Sequence, residues 1–407
     1  MKKFPDNFYW GAATASYQVE GGIENCDWAE AARAGTVPPC GRACDHYNRF
    51  EEDFDIAKSL GHNSHRLSVE WARIEPEEGV FNENEIEHYR TVLRALHARG
   101  LKPYVTLWHF TLPLWFSKNG GFEQKDSPEI FARYCAYVVR SLDDLCADYV
   151  TLNEPEIFTS LGWIRGAWPP FKRFTFIDFS RDVSLEHRES ESKAQKSIWS
   201  FFTFLRVLRN LAKAHNLAYR QIKSIKPEVL VSSLKHVHVF TSDGTFWNTC
   251  KAKLAHYFLN HYFIKQLRNT VDYFSLNYYR YTKFGDTKVY PTSDMGWKLN
   301  PEKIYDALMY LSKFKKPIVI SETGIADTED RYRADYIMKQ VLATHRAIAD
   351  GADVRGYMYW SLLDNYEWDL GFDKRFGLVE IDYETLERKI RPSAYVYKKI
   401  CEQNGLE

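Results

Sequence analysis

The chain has no excess of charge of either sign: 54 basic residues stand against 54 acidic ones. A nucleic-acid binder shows a basic surplus or stripe, and a protein held to an anionic membrane shows a basic face, so neither partner is expected. No apolar run approaches the ~18 residues that a membrane span needs. The first residues, "MKKFPDNFYWGAATASYQ", carry two lysines but no long apolar core and no clear cleavage site. That predicts no signal peptide and a cytoplasmic protein. Cysteine is scarce and irregular, at 26, 40, 44, 135, 146, 250 and 401. An odd count without a signal peptide predicts reduced thiols rather than a disulfide framework. Cys40, Cys44 and His46 sit close together, with Cys26 not far off, but the spacing fits no standard zinc pattern. No metal and no cofactor are therefore expected. Linkers rich in Pro, Gly or Ser are also missing. The polar stretch 181–196, "RDVSLEHRESESKAQK", reads as a long surface loop or a helix start, so residues 1–407 are expected to form a single domain. Nothing in the pattern sets an oligomeric state.

Flat rings, by contrast, are plentiful: 12 Trp, 26 Tyr and 26 Phe. They serve equally to pack a core or to line a cleft. Eight short apolar runs recur along the chain, at 8–15, 63–70, 102–109, 148–154, 229–235, 272–278, 317–322 and 355–361. Several are apolar at consecutive positions, as strands buried on both faces of a parallel sheet are. Amphipathic helical patterns lie between them, at 47–60, 84–99, 128–145, 203–225, 301–314, 333–349 and 392–404. Ser127 is placed as a helix cap with Pro128 in the first turn. Eight strands alternating with helices predict an α/β fold, a (β/α)8 TIM barrel with extended βα loops. A doubly wound open sheet would show a Gly-rich phosphate loop after the first strand, and "ATASYQVEGG" is not one.

In such a barrel the chemistry sits at the C-terminal ends of the strands. Polar or aromatic residues occur there in most of the runs: Arg66 and Glu70-Trp71, Trp108-His109, Asn153-Glu154, Asn277-Tyr278-Tyr279, Glu322, and Trp360. A single strand-end Glu is as easily a structural hydrogen bonder as a catalyst. Two of them, Glu154 and Glu322, can face each other across a barrel mouth, and paired carboxylates across a cleft are the equipment for glycoside hydrolysis.

At these residues the chain resembles glycoside hydrolase family 1, the β-glucosidase family. "TLNEP" (151–155) is similar to that family's acid/base motif and "ISETG" (320–324) to its nucleophile motif. "FYWGAATASYQVEGG" (8–22), "HRLSVEWARI" (65–74), "TLWHFTLP" (106–113), "FSLNYY" (274–279) and "WSLLDNYEWDLGFDKRFGLV" (360–379) follow in order. The resemblance implies that Glu154 is the general acid/base and Glu322 the nucleophile of a retaining β-glycosidase acting on a terminal non-reducing β-D-glucosyl, β-galactosyl or β-fucosyl residue. It implies that Gln18, His109, Asn153, Glu367 and Trp368 bond the sugar hydroxyls. Trp360 would floor the sugar, and Asn277 and Tyr279 would flank the nucleophile with Arg66 beneath it. Trp168 would wall the leaving-group side. The partner is then a small β-glycoside or short oligosaccharide. Glu154 should start protonated and Glu322 ionised.

The sequence departs from the family pattern at Thr323, where Asn is usual, and at Tyr366, where Phe is usual. The chain is shorter than most members; 241–270 looks trimmed and 165–200 does not match closely, which predicts a more open mouth. A 6-phospho-β-glycosidase is the alternative raised by Lys374, but such members usually place Ser where Glu367 stands, and Glu367 would repel a phosphate. A non-catalytic sugar-binding member would typically lose one or both carboxylates.

Overall fold

The computed structural model describes residues 2–174, 195–196, 199–267 and 269–406. The polar stretch 181–196 lies outside the described residues except for its last two, which pair in parallel with Lys172–Arg173. The eight apolar runs form one parallel sheet. Its strands are β1 (Tyr9–Ala13), β2 (Ser64–Ser68), β3 (Lys102–Thr106), β4 (Asp148–Val150), β5 (Leu230–Ser232), β6 (Leu234–His236), β7 (Phe274–Tyr278), β8 (Ile318–Thr323) and β9 (Val354–Trp360). The fifth run is broken at Ser233 into β5, which pairs with β4, and β6, which pairs with β7. That broken strand completes the ring, since β9 pairs with β1 at the other join.

The helices fall where the periodicity places them, as His46–Ser59, Glu83–Ala98, Ser127–Leu142, Ser200–Ile225, Ile304–Ser312, Arg333–Ala349 and Pro392–Gln403. Ser127 proves to be the first helical residue, with Asp126 before it in the cap position and the Ser127 hydroxyl donating to the Gln124 carbonyl. The segment 241–270 is not a bare loop; it builds helix Phe246–His256, a wide turn Tyr257–His261 and helix Tyr262–Leu267.

Side chains alternate across the strands, as the two-residue period requires. Tyr104, Val319, Met358 and Trp360 belong to a small apolar cluster inside the ring. Their neighbours Val105, Ile318, Ile320, Tyr357 and Tyr359 join the large cluster between strands and helices. β1 approaches β2 so closely that a Cβ on Gly11 would lie 2.1 Å from the Ser64 carbonyl oxygen, so only glycine fits there.

Seven cysteines carry no disulfide. The Cys40 thiol donates to the Tyr17 carbonyl and the Cys44 thiol to the Asp364 carbonyl, while His46 pairs with Asp53. These groups point to separate partners. No helix among the described residues is long and apolar enough to cross a membrane.

Candidate active site

A cavity of about 810 Å³ opens at the C-terminal end of the barrel. Gln18, His109, Asn153, Glu154, Trp168, Tyr279, Glu322, Trp360, Glu367 and Trp368 line it. Arg66 and Asn277 are fully buried behind that lining.

Glu322 reaches the cavity through an irregularity in β8. Strict alternation from Val319 would turn Glu322 toward the helices. The register skips one residue: Ile320 lies beside Leu276, but Glu322 lies beside Asn277. Ser321 is the extra residue, and its hydroxyl meets the Leu276 carbonyl and the Asn277 side-chain oxygen. Such a bulge re-aims the side chains that follow it. Glu322 turns inward, and Thr323 turns outward. The Thr323 hydroxyl donates to the Tyr278 carbonyl at 2.8 Å and contacts the Gln340 amide on an outer helix, so this departure from the family pattern does not touch the cavity. Gly324 follows because the Trp360 carbonyl oxygen would lie 1.9 Å from any Cβ there. Tyr366, the other departure, donates to the Pro38 carbonyl at 2.6 Å.

Glu154 sits just before the short helix Pro155–Thr159, in the left-handed region at φ 40 and ψ 59. A residue before proline is pushed out of the right-handed helical region, and a non-glycine residue held left-handed is strained. Strain of this kind concentrates where a side chain must be aimed.

The hydrogen bonds then tie opposite sides of the mouth together. Arg66 donates to Thr106 at 2.9 Å, to Asn153 Oδ1 at 2.9 Å and to Glu322 Oε1. The Tyr279 hydroxyl donates to Glu322 Oε2 at 2.9 Å. Asn277, which lies beside Glu322 in the register, turns its Nδ2 to donate to Glu154 Oε1 at 2.6 Å. Because Asn153 Oδ1 is held by Arg66, its amide nitrogen faces His109 Nε2 at 3.4 Å. Burial and the Arg66 charge hold His109 well below the usual histidine range, so it is neutral. With Nε2 as acceptor, the proton sits on Nδ1, a buried atom with no partner in the protein. The Gln18 side-chain oxygen is likewise buried and unpartnered, while its amide nitrogen donates to Asn365 and the Tyr366 carbonyl. Buried polar atoms need partners. A hydroxyl-rich ligand supplies them. The His109 ring runs parallel to Trp360 and to Trp368, with centroids 5.9 and 6.0 Å away. Trp168 donates to Asp369 at 2.8 Å and packs on Trp368. Burial, with the charges of Glu322, Asp369 and Glu154, pushes Glu367 up to about 8, although Trp360 Nε1 donates to it at 3.2 Å.

One polar neighbour was not anticipated. His236, at the end of β6, places Nδ1 3.2 Å from Glu154 Oε1. Beside it Lys235 is ion-paired with Glu156 at 2.7 Å, both buried. Burial pushes the carboxyls of both Glu154 and Glu322 upward. At Glu154 the charge and hydrogen bond of His236, then the Asn277 amide and the Lys235 charge, outweigh burial and hold it below its ordinary value. At Glu322 burial and the Glu154 charge outweigh Arg66 and raise it. This order reverses the sequence expectation, and the reason is His236. The reversal needs a charged imidazole, whereas Arg66 is a permanent cation. With His236 neutral, Glu154 loses its largest lowering cause and its carboxyl rises.

Several strand-end residues do not reach the cavity. Glu70 accepts from Ser16 and Thr111, Trp71 donates to Glu75, Trp108 to the Thr111 carbonyl and Tyr278 to the Asn300 carbonyl. Lys374 donates to the Asp294 carbonyl and does not line the cavity.

A family model described as glycosyl hydrolase family 1 matches residues 1–284 and 235–406. Beta-glucosidase A of Acetivibrio thermocellus is 31% identical, covering 99% of each chain. Among solved structures, a beta-glycosidase from Pyrococcus horikoshii superposes with TM-score 0.87 at 33% identity, covering 100% of this chain and 96% of that one. A beta-glucosidase from Thermotoga maritima in complex with glucoimidazole gives TM-score 0.89 at 27% identity, with both chains fully covered.

Proposed function

The chain belongs to glycosyl hydrolase family 1, and on that premise we propose that it is a retaining β-glycosidase that removes terminal non-reducing β-D-glucosyl residues, with Glu154 as acid/base and Glu322 as nucleophile. The observation that carries the assignment is the placing of two buried carboxylates on one cavity, each with its own set of donors. In the first step a Glu322 oxygen bonds to the anomeric carbon. The glycosidic C–O bond breaks, and the departing oxygen takes the proton held at Glu154. Arg66 and Tyr279 hold the Glu322 oxygens, which fixes the carboxylate plane before attack. Once Glu322 is an ester its charge is gone. Glu154 then takes a proton from water as the water oxygen attacks the same carbon, and Glu322 is released ionised. Two inversions give net retention.

Gln18, His109, Asn153, Glu367 and Trp368 bind hydroxyls in this reading, over the Trp360 ring. The unpartnered atoms of Gln18 and His109 support it. Glu367 on the cavity wall, with Lys374 engaged elsewhere, favours an unphosphorylated sugar. Trp168 bounds the leaving-group side. The strands from residue 9 to residue 360 form one ring, which supports reading the chain as a single domain. Seven unpaired cysteines support a cytoplasmic location.

The test uses two variants. Glu322→Gly should lose hydrolysis of 4-nitrophenyl β-glucoside and regain rate with added azide or formate. Glu154→Ala should keep its first step only for substrates with very good leaving groups. Full turnover by either variant without rescue refutes the assignment.

A further inference from the structure

We infer that Lys235 and Glu156 form a positioning pair for the acid/base: β6 grips the Glu154 segment at two consecutive residues, His236 on Glu154 and Lys235 on Glu156. This rests on the β-glycosidase reading. Lys235 is out of place in its strand. It lies beside Leu276 in the register, and Leu276 belongs to the large apolar cluster between strands and helices. His236 lies beside Asn277 and lines the cavity. Strands of a buried parallel sheet fill their outward positions with apolar side chains. Here that position holds a lysine that is 2% exposed. Its Nζ lies 2.7 Å from Glu156 Oε1 and donates to the Leu259 carbonyl at 2.6 Å, on the wide turn Tyr257–His261. Glu156 is also buried, two residues beyond Glu154 on helix Pro155–Thr159. One ammonium thus ties together the strand of His236, the helix that follows the acid/base and a segment of the cavity wall.

Folding stability does not account for the pair. A buried ion pair offsets its desolvation only with excellent geometry and with its remaining lone pairs satisfied. Among the described residues neither Glu156 oxygen accepts a well-directed hydrogen bond, the Lys235 contact included. Burial raises the Glu156 carboxyl in spite of the Lys235 charge, and lowers the Lys235 ammonium in spite of Glu156. The place of the pair does account for it. Glu154 is held left-handed, so its aim depends on what fixes the helix that follows. The Lys235 charge also lowers Glu154. The other groups that face Glu154 are His236 from β6, Asn277 and Tyr279 at the end of β7, Glu322 from β8 and Glu367 beyond β9.

The experiment replaces the pair by apolar side chains of similar size, Lys235→Met together with Glu156→Leu. It follows kcat/KM against pH on methyl β-glucoside and on 2,4-dinitrophenyl β-glucoside, with thermal unfolding alongside. The first leaving group needs a proton and the second does not. The double variant should unfold near the original temperature. It should lose about tenfold or more on the methyl glucoside and little on the dinitrophenyl glucoside. Loss of the Lys235 charge should move the limb that reports Glu154 to higher pH by about half a unit. Glu156→Gln keeps that charge, so it should show the same dependence on leaving group without the rise, and it carries the test if the double variant does not fold. Equal losses on the two substrates, full activity on both, or an unmoved limb in the double variant make the pair structural and overturn this inference alone. An unaltered enzyme that hydrolyses neither glucoside removes the proposed function and this inference together.

Discussion

Replacing Arg66 by Met tests how Glu322, the proposed nucleophile, is kept ready. Arg66 is buried, and its guanidinium spans Thr106, Asn153 and Glu322. Without it Glu322 keeps only the Tyr279 hydroxyl, while burial and the Glu154 charge still push its carboxyl up. A neighbouring cation lowers a carboxyl by about 1–3 pH units, and removing one partner of a buried pair costs about 3–5 kcal/mol. Arg66 lowers the Glu322 value, so its loss raises it. The proposed nucleophile must be ionised to attack, so the limb of the kcat/KM profile that reports Glu322 should move to higher pH by about 1–3 units. The assay is a full pH profile on 4-nitrophenyl β-glucoside, with circular dichroism to confirm the fold. Arg66→Lys, which keeps the charge but not the fork, should shift the limb less. A profile whose limbs both stay in place in folded Arg66→Met would refute this account of Glu322.

Changing His236 to Gln removes the charge that depresses Glu154, so Glu154 should titrate higher and the limb that reports it should move up by about one unit; a limb that is fixed or moves down counts against His236 as the cause. In Gly324→Ala the new methyl meets the Trp360 carbonyl, and overpacking of this kind costs about 1–3 kcal/mol. Thermal unfolding should report that loss, and kcat/KM should fall more than stability does because Glu322 and Trp360 move apart. Glu367→Ala should lower kcat/KM about 100-fold, the value of about two to three hydrogen bonds, and the gap should narrow on deoxyglucosides that lack its hydroxyl partners.

The barrel was legible because parallel strands buried on both faces write themselves as unbroken apolar runs. Seven of the eight runs became one strand each, and the fifth became two. The fifth was less plain, because the break at Ser233 has no proline or glycine to announce it. Glu154 and Glu322 were legible as charges that a strand would not choose. The direction of Glu322 was not, since alternation along "IVISET" points it at the helices and only the Ser321 bulge reverses that. His236 escaped for a simpler reason. The polar ends of the other strands drew attention, and the same rule applied to "SSLKHVHVF" marks Lys235 and His236. The apolar part of the cavity lining, with Ile157, Phe204 and Leu254, had no readable signal. It comes from three helices, and apolar residues on them face both inward and outward, as exposed Phe246 and buried Phe204 show, so their pattern does not tell which side meets the cavity.

The contacts of Arg66 with Glu322 and of Asn277 with Glu154, together with the Gln18 amide nitrogen 3.5 Å from Glu367 Oε1, each join a residue from the first four strands or their loops to one from the last three. Neither half of the ring holds a complete reaction centre. Catalysis is therefore a property of assembly: two fragments of this chain, separated between β4 and β7 and mixed, would signal their reunion by turnover, and refolding chains would regain helix signal before they regain activity. Any β-glucoside that yields a coloured product thus doubles as a gauge of ring closure.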